Sequence, residues 1–144
     1  MKVLIDADAC PVVDIAVDLC IQHEMQCLLL CDTSHEIHRQ GAATMIFDKG
    51  SDSVDFALVG RVSAGDLVIT QDYGLASMCL ARGARVLHQD GWQYTADNID
   101  ALLFQRYASK RYRAAGGRLK GPSKRKDTQN QAFSEALRRV LKGE

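Results

Sequence analysis

Apolar and polar positions along the first ninety residues follow two different periods. Short apolar runs bounded by polar residues predict five buried strands. These runs cover residues 2–6, 25–31, 43–47, 66–70 and 84–87. Other segments repeat apolar residues three or four positions apart, which predicts helices after Pro11, from Ser51-Asp52 onward and from Leu75 to the stop at Gly83. Strands separated by helices favour right-handed crossovers, so we expect an α/β fold with a mainly parallel sheet covered on both faces.

The pattern changes after Trp92. Thr95 is a suitable cap for a long helix, the pair Gly116-Gly117 interrupts it, and a last helix carries its apolar residues on one stripe. That stripe comprises Phe133, Leu137, Val140 and Leu141. We predict a single domain over residues 1–144, with an α/β core over 1–92 and a helical, basic part over 93–144.

The composition is typical of a soluble globular domain, since 47% of the 144 residues are hydrophobic and 25% are charged. No apolar run approaches the roughly 20 residues needed to span a bilayer. The chain reaches Asp6 too early for the apolar core of a signal peptide. We therefore expect a cytoplasmic protein without a membrane partner.

The five cysteines are an odd number, which argues against a disulfide framework. Cys27 and Cys31 would share one face of the second predicted strand with Leu29 between them. No second cysteine or histidine pair completes a tetrahedral zinc set. We expect these thiols to be buried core residues.

The formal net charge of zero conceals an uneven distribution. Residues 1–105 contain six Lys/Arg and fifteen Asp/Glu, whereas residues 106–144 contain twelve Lys/Arg and three Asp/Glu. An acidic body with a basic C-terminal part favours a polyanionic partner. In the alternative, the basic part only neutralises the acidic body of the same chain.

Aspartates follow two of the predicted strands directly. Asp6 and Asp8 end the first strand and point the same way, because strand side chains alternate with period two, and Asp72 follows the fourth strand. Ligands of parallel sheets bind outside the carboxyl ends of the strands, so we expect these carboxylates to converge there. Crowded carboxylates repel one another and require protons or a cation, which indicates a divalent-metal site. In the alternative, each aspartate only caps the following helix.

A second acidic pair lies in the segment Gly50-Ser51-Asp52-Ser53-Val54-Asp55. Asp52 and Asp55 are three positions apart at the start of a predicted helix, so they share one side of its first turn. Helix starts favour aspartate through capping and the helix dipole. Taken alone, this pair therefore favours a structural role.

These segments together resemble one bacterial family. The strings that carry the resemblance are Asp6-Ala7-Asp8-Ala9-Cys10-Pro11, Gly50-Ser51-Asp52-Ser53-Val54-Asp55, Thr70-Gln71-Asp72-Tyr73-Gly74-Leu75-Ala76, Gly83-Ala84 with Leu87-His88, and Tyr94-Thr95 with Asn98-Ile99-Asp100. The chain is similar over essentially its whole length to the YaiI/YqxD family, which is grouped with PIN-like domains.

The resemblance implies a PIN-like three-layer α/β/α fold with sheet order 3-2-1-4-5 and a metal-dependent nuclease site. By analogy, Asp6, Asp52 or Asp55, and Asp72 correspond to the acidic cluster of active PIN nucleases, so Asp6, Asp52, Asp55 and Asp72 are the expected catalytic residues. Mg²⁺ or Mn²⁺ would be bound by Asp6, Asp8, Asp55 and Asp72, and Asp8 is included because it matches the motif of the YaiI/YqxD family itself. The expected substrate is RNA. The chain departs from the family pattern at Gln89-Asp90-Gly91, at Arg125-Lys126 and at Gln129.

Basic residues form a second candidate site for nucleic acid, single-stranded RNA in particular. Three of them line one face of the predicted helix after Thr95, with tyrosines interleaved, and three more follow in the next loop. They are Arg106, Lys110, Arg113, Lys124, Arg125 and Lys126. In the alternative, they form a solvated helix face and a flexible basic loop.

Two other functions are consistent with the motifs. Asp6-Ala7-Asp8 after an apolar strand also resembles the motif of haloacid-dehalogenase-type phosphatases, in which the first aspartate is a nucleophile. Acid-stable phosphoenzyme on Asp6 would support that enzyme. The other alternative is a non-catalytic nucleic-acid or protein-binding module, which would bind without cleavage at every divalent metal.

Overall fold

The computed structural model describes residues 1–50, 53–119, 121 and 123–144, and strands and helices alternate along most of it. The elements in chain order are β1 (Val3–Asp6), α1 (Val13–Gln22), β2 (Cys27–Asp32), β3 (Ala43–Phe47), α2 (Ser53–Arg61), β4 (Leu67–Ile69), α3 (Tyr73–Ala81), β5 (Arg85–Leu87), β6 (Gln93–Tyr94), α4 (Ala96–Ala114) and α5 (Asp127–Leu141). Each predicted strand is present with its ends shifted by at most two residues, and each predicted helix is present, although the predicted start of α2 at Ser51-Asp52 lies outside the described residues.

The strands form one sheet in the order β3-β2-β1-β4-β5-β6. The first five are parallel, which confirms the predicted order 3-2-1-4-5. β6 was not predicted, and it pairs antiparallel with β5. Its two residues are too short to establish a period in the sequence. Because β1 lies between β2 and β4, the carboxyl ends of these three strands meet at one edge.

Helices cover both faces of the sheet, as the three-layer α/β/α prediction requires. Alternate residues of β1 face opposite layers: Val3 and Ile5 pack in a core with α1 and α5, and Leu4 packs in a second core with α2, α3 and α4. The C-terminal helix α5 contributes Phe133 and Leu137 to the first core. No helix among the described residues has both the length and the apolar character that crossing a bilayer requires.

The cysteines occupy the positions expected of core thiols. Cys27 and Cys31 are buried with Leu29 in the core beneath α1 and α5, which confirms the prediction of a shared face. Cys20 on α1 belongs to the same core, and Cys10 is half-buried beside it. These side chains stabilise the fold through the apolar surface that they bury.

Local sequence signals determine where the long helix α4 begins and ends. The Thr95 hydroxyl accepts a hydrogen bond from the Asn98 backbone N–H, and the Asn98 side-chain oxygen accepts one from the Thr95 N–H, which forms a capping box. After Ala114 the chain turns at Gly116, whose φ of +91° lies in the left-handed region that favours glycine. This confirms Thr95 as the cap and the glycine pair as the stop.

Candidate acidic site at the carboxyl edge of the sheet

The ends of β1 and β4 are joined by a side-chain hydrogen bond. Thr70 is 2% exposed, and its hydroxyl donates to Asp6 Oδ2 at 2.9 Å. The backbone N–H of Asp72 donates to the same hydroxyl at 3.0 Å. Thr70 thus links the carboxylate that ends β1 to the segment that leads into α3. Thr70 was not among the predicted site residues, although its place two residues before Asp72 was a usable signal.

Asp6 lies in an environment that disfavours its charged form. The pKa of the Asp6 carboxyl is raised to about 7, chiefly by burial. The hydrogen bond from Thr70 opposes this rise, and the nearby carboxylates of Asp55, Asp72 and Asp8 add to it. The repulsion from Asp55 and Asp72 indicates that both lie close enough to interact with Asp6. The structure therefore brings three of the predicted residues, Asp6, Asp55 and Asp72, to one edge of the sheet.

Asp72 has a structural role in addition to its place in this cluster. It is the N-cap of α3, and its Oδ1 accepts hydrogen bonds from the Gly74 and Leu75 backbone N–H groups at 2.8 and 3.2 Å. The same oxygen accepts a third hydrogen bond from Arg106 Nη1 at 3.1 Å. The capping alternative is thus correct for Asp72, and it coexists with the clustering.

Asp55 lies in the first turn of α2 and lines a small surface pocket together with Asp72. The pocket has a volume of about 300 Å³, and Arg106 and the exposed Phe56 also line it. Asp52, the other predicted acidic residue of this segment, lies outside the described residues. Asp55 and Asp72 therefore share a solvent-accessible cavity that could admit a charged ligand.

The neighbours of the Asp8 side chain differ from those of Asp6. Among the described residues, three potential metal-ligand atoms that lie within 4.8 Å of one another belong to Asp8, Asp32 and His35. Asp8 Oδ1 is buried without a hydrogen-bond partner in the described structure. Burial raises the Asp8 pKa, and the Asp32 carboxylate raises it further. Of the three carboxylates that act on Asp6, Asp8 has the smallest effect.

Asp32 and His35 were not predicted as site residues. Asp32 ends β2, so the reasoning applied to the ends of β1 and β4 would have included it. Its Oδ1 accepts hydrogen bonds from the Ser34 and His35 backbone N–H groups at 2.8 and 3.2 Å, which orders the turn after β2. The His35 side chain is largely exposed.

Basic and aromatic side chains extend from this edge along α4. Arg106 and Arg113 line one pocket of about 230 Å³, whereas Lys110 lines a neighbouring pocket of about 610 Å³ together with Tyr107. Phe104 on the same helix is 69% exposed. The three predicted basic residues of α4 are thus exposed, and exposed aromatic rings lie among them.

The Arg125 side chain makes hydrogen bonds within the protein. Its guanidinium donates to Asp90 Oδ1 at 2.7 Å, to the Gln89 carbonyl at 2.6 Å and to Asn130 Oδ1 at 2.7 Å. Gln129 also donates to Asp90 Oδ1, at 3.4 Å. The contacts among Gln89, Asp90, Arg125 and Gln129 therefore attach the start of α5 to the β5–β6 connection.

The two lysines that flank Arg125 are exposed. Lys126 is the N-cap of α5, and its backbone N–H donates to Gln129 Oε1 at 2.7 Å. Because that contact uses the backbone, the ammonium group of Lys126 remains available to solvent, as does that of the exposed Lys124.

Comparison with known proteins identifies close relatives of the whole chain. Three bacterial proteins, each named UPF0178 protein, illustrate the similarity. The protein of Exiguobacterium sibiricum is 46% identical over 98% of this chain and 96% of its own length. The protein of Ruminiclostridium cellulolyticum is 43% identical over 100% and 94%, and that of Clostridium acetobutylicum is 42% identical over 98% and 97%. No solved structure matches the chain.

A family model described as "Uncharacterized BCR, YaiI/YqxD family" matches residues 4–143. This match includes the strand ends that carry Asp6 and Asp72 and the basic C-terminal part. The match and the full-length relatives confirm the resemblance that the sequence motifs indicated. The chain belongs to the YaiI/YqxD family.

Proposed function

We propose that the protein is a metal-dependent nuclease that hydrolyses phosphodiester bonds, with RNA as its substrate. The observation that supports this most directly is the convergence of Asp6, Asp55 and Asp72 at the carboxyl edge of the sheet, where the pKa of Asp6 is raised to about 7. Strongly shifted carboxyl groups beside a surface pocket are typical of functional sites. We also propose that the protein is cytoplasmic.

The donor set fits Mg²⁺ or Mn²⁺. Both ions prefer hard oxygen ligands, and Asp6, Asp55 and Asp72 supply carboxylates from the end of β1 and the starts of α2 and α3. A bound cation would relieve the repulsion that raises the Asp6 pKa. It would supply a water of lowered pKa and stabilise charge on the scissile phosphate. Asp52 and Asp8 remain proposed members of the site.

The residues of this chain would orient the site and bind the substrate strand. The hydrogen bond from Thr70 holds the Asp6 carboxylate in one orientation. Arg106, Lys110 and Arg113 would contact phosphates, and the exposed rings of Phe104 and Tyr107 would stack on bases. Base stacking requires unpaired bases, which favours a single-stranded substrate.

A non-catalytic binding module is the second candidate. The observation that favours it is the structural use of the same aspartates, since Asp72 caps α3 and Asp6 links β1 to Thr70. In this case the acidic cluster would contribute to the fold, and the basic surface would bind nucleic acid without cleavage. Assays of cleavage and binding on the same substrate distinguish the two functions.

We expect the purified full chain to cleave a single-stranded RNA labelled at both ends in Mn²⁺ or Mg²⁺ and not in EDTA. Asp6→Asn and Asp55→Asn should each reduce the rate by roughly 100-fold or more, because each removes a negative ligand that holds the cation. Gel analysis of the initial rates measures the effect. Asp8→Asn tests whether the ion instead depends on the group that includes Asp32 and His35.

The matched control is Asp18→Asn, which removes an exposed carboxylate on α1 away from the site. It should cleave at the wild-type rate. If Asp6→Asn and Asp55→Asn retain that rate as well, the cleavage does not come from this cluster and the nuclease proposal fails. If the wild type binds RNA without cleaving it in any divalent metal, the binding module is the correct function.

The exposed lysines of the basic loop should determine part of the salt dependence of binding. Each phosphate contact on a single strand contributes roughly 0.7 to the slope of log affinity against log salt. Replacing both Lys124 and Lys126 with Gln should therefore lower the slope by up to about 1.4. Fluorescence anisotropy of a labelled RNA in EDTA measures it. The control, Arg138→Gln with Arg139→Gln, removes two exposed charges from α5, and an equal effect of both pairs would exclude a local contact.

A further inference from the structure

Arg106 occupies a specific position beside the acidic cluster. Its Nη1 lies 3.1 Å from Asp72 Oδ1, although the two residues are 34 positions apart in the chain. Gly74 leaves room for this contact, because a Cβ at that position would lie 3.3 Å from both atoms of the pair. Arg106 also lines the pocket that Asp55 and Asp72 share. The guanidinium is thus the cation of the described structure that contacts the cluster.

The ion pair is positioned to be broken. The Arg106 side chain is 58% exposed, and that of Asp72 is 33% exposed. Exposed ion pairs are weak because water solvates both partners when they separate. The Asp72 oxygen that accepts from Arg106 also accepts from two backbone N–H groups, so the α3 cap remains in place when the arginine leaves. The separation therefore costs little and leaves Asp72 in position.

A divalent cation at the cluster would compete with this arginine. Both would place positive charge at the Asp72 carboxylate, and like charges at that separation repel one another. A divalent ion would carry the larger charge and would also interact with Asp6 and Asp55. In its absence the Asp55 carboxylate contributes to the raised pKa of Asp6. The two cations are thus alternatives at one carboxylate, and the ion has more ligands there.

We propose that Arg106 is a displaceable counter-ion of Asp72 which competes with the divalent cation and which, once released, binds a phosphate of the nucleic acid. This inference rests on the proposed function. Arg106 is the counter-ion of Asp72 when the divalent cation is absent and a binding residue for the substrate when it is present, so the two roles belong to different states. The guanidinium fork suits a phosphate, and Arg113 lines the same pocket next to it.

The first test is the affinity of the full chain for Mn²⁺ alone, measured by isothermal titration calorimetry. Arg106→Gln should tighten binding by roughly twofold to fivefold, the effect expected from removing a competing exposed ion pair. Arg106→Lys keeps a positive charge at this position and should restore an affinity near that of the wild type. Lys110→Gln, which removes an exposed charge one turn further along α4, is the matched control and should change the affinity less than Arg106→Gln.

The second test uses a labelled phosphorothioate single strand, which resists cleavage, with anisotropy as the readout. Arg106→Gln should weaken binding of this strand more in Mg²⁺ than in EDTA, because in EDTA the guanidinium remains paired with Asp72. Lys110→Gln should weaken it by the same factor in both conditions. Equal losses for Arg106→Gln in the two conditions would contradict the release of Arg106.

These outcomes separate the inference from the proposed function. If the wild type binds Mn²⁺ and Asp6→Asn abolishes that binding, the proposed metal site at the acidic cluster is supported. An unchanged Mn²⁺ affinity in Arg106→Gln would then show that Arg106 does not affect the ion, and a weaker affinity would show that it helps to orient Asp72. Either result overturns the inference alone. If the wild type does not bind Mn²⁺, or if Asp6→Asn binds it normally, the proposed metal site fails and the inference fails with it.

Discussion

Asp6→Asn should stabilise the protein in EDTA at pH 8 and reduce its dependence on pH between about 4 and 7. Folding raises the pKa of this carboxyl from 3.8 to about 7, so the folded state holds a proton that the unfolded state has released. The resulting stabilisation is complete below pH 3.8 and is lost as the pH rises through 7. At about 1.4 kcal/mol per pKa unit the loss is at most roughly 4 kcal/mol.

The substitution removes this loss because asparagine carries no charge, and its side-chain oxygen still accepts the hydrogen bond from Thr70. We expect a gain of about 1–3 kcal/mol in the free energy of unfolding at pH 8 and a small change at pH 4. Urea unfolding of wild type and variant in EDTA at both pH values measures the difference. Asp18→Asn is the control and should not change the pH dependence.

A loss of stability at pH 8 in Asp6→Asn would contradict this argument. It would indicate that the neighbours of Asp6 stabilise its charged form in the folded protein, so that folding does not raise its pKa. The repulsion among Asp6, Asp55 and Asp72 would then not be a reason to expect a cation, and the non-catalytic function would gain support.

Arg125→Ala should destabilise the protein by about 2 kcal/mol. The guanidinium makes three hydrogen bonds, one of them to the Asp90 carboxylate, and hydrogen bonds to charged groups contribute roughly 1.5–3 kcal/mol when they are buried. The Arg125 and Asp90 side chains are 20% and 30% exposed, so water screens these contacts. The expected loss is therefore smaller than the sum of three such hydrogen-bond contributions. The affected contact joins the start of α5 to the β5–β6 connection.

Urea unfolding of Arg125→Ala and of its neighbour Lys124→Ala tests this prediction. The exposed Lys124 should change the free energy of unfolding by less than about 0.5 kcal/mol. A double-mutant cycle with Asp90→Ala should give a coupling energy of at least about 0.5 kcal/mol, since the two side chains are in contact. If Arg125→Ala is as stable as the wild type, the guanidinium is free to contact nucleic acid, as the sequence first indicated.

The contact between Arg125 and Asp90 gives Arg125 a structural role that Lys124 and Lys126 do not share. Replacing Arg125 together with the two lysines would combine a loss of charge with a loss of folding free energy. Keeping Arg125 and replacing Lys124 and Lys126 separates these effects. Any change in the salt slope can then be assigned to phosphate contacts at the loop.

The amino-acid sequence by itself determined the order of the strands and helices and the edge at which the acidic residues lie. Short apolar runs are local signals, and a residue at the end of a parallel strand must lie at the carboxyl edge of the sheet. For this reason Asp6 and Asp72 could be placed at one edge without a structure. The end of β2 obeys the same rule, so Asp32 could also have been placed there.

Only the tertiary structure decided which side chains meet at that edge. Arg106 reaches Asp72 across 34 positions, and Arg125 reaches Asp90 across 35, because of the way α4 and α5 pack on the sheet. The sequence placed Asp6 and Asp8 on one strand end, but β1 ends at Asp6 and Asp8 lies in the turn that follows, so their main neighbours differ. Side-chain pairing depends on distances of a few ångströms between distant parts of the chain, and a period of apolar residues contains no information about them.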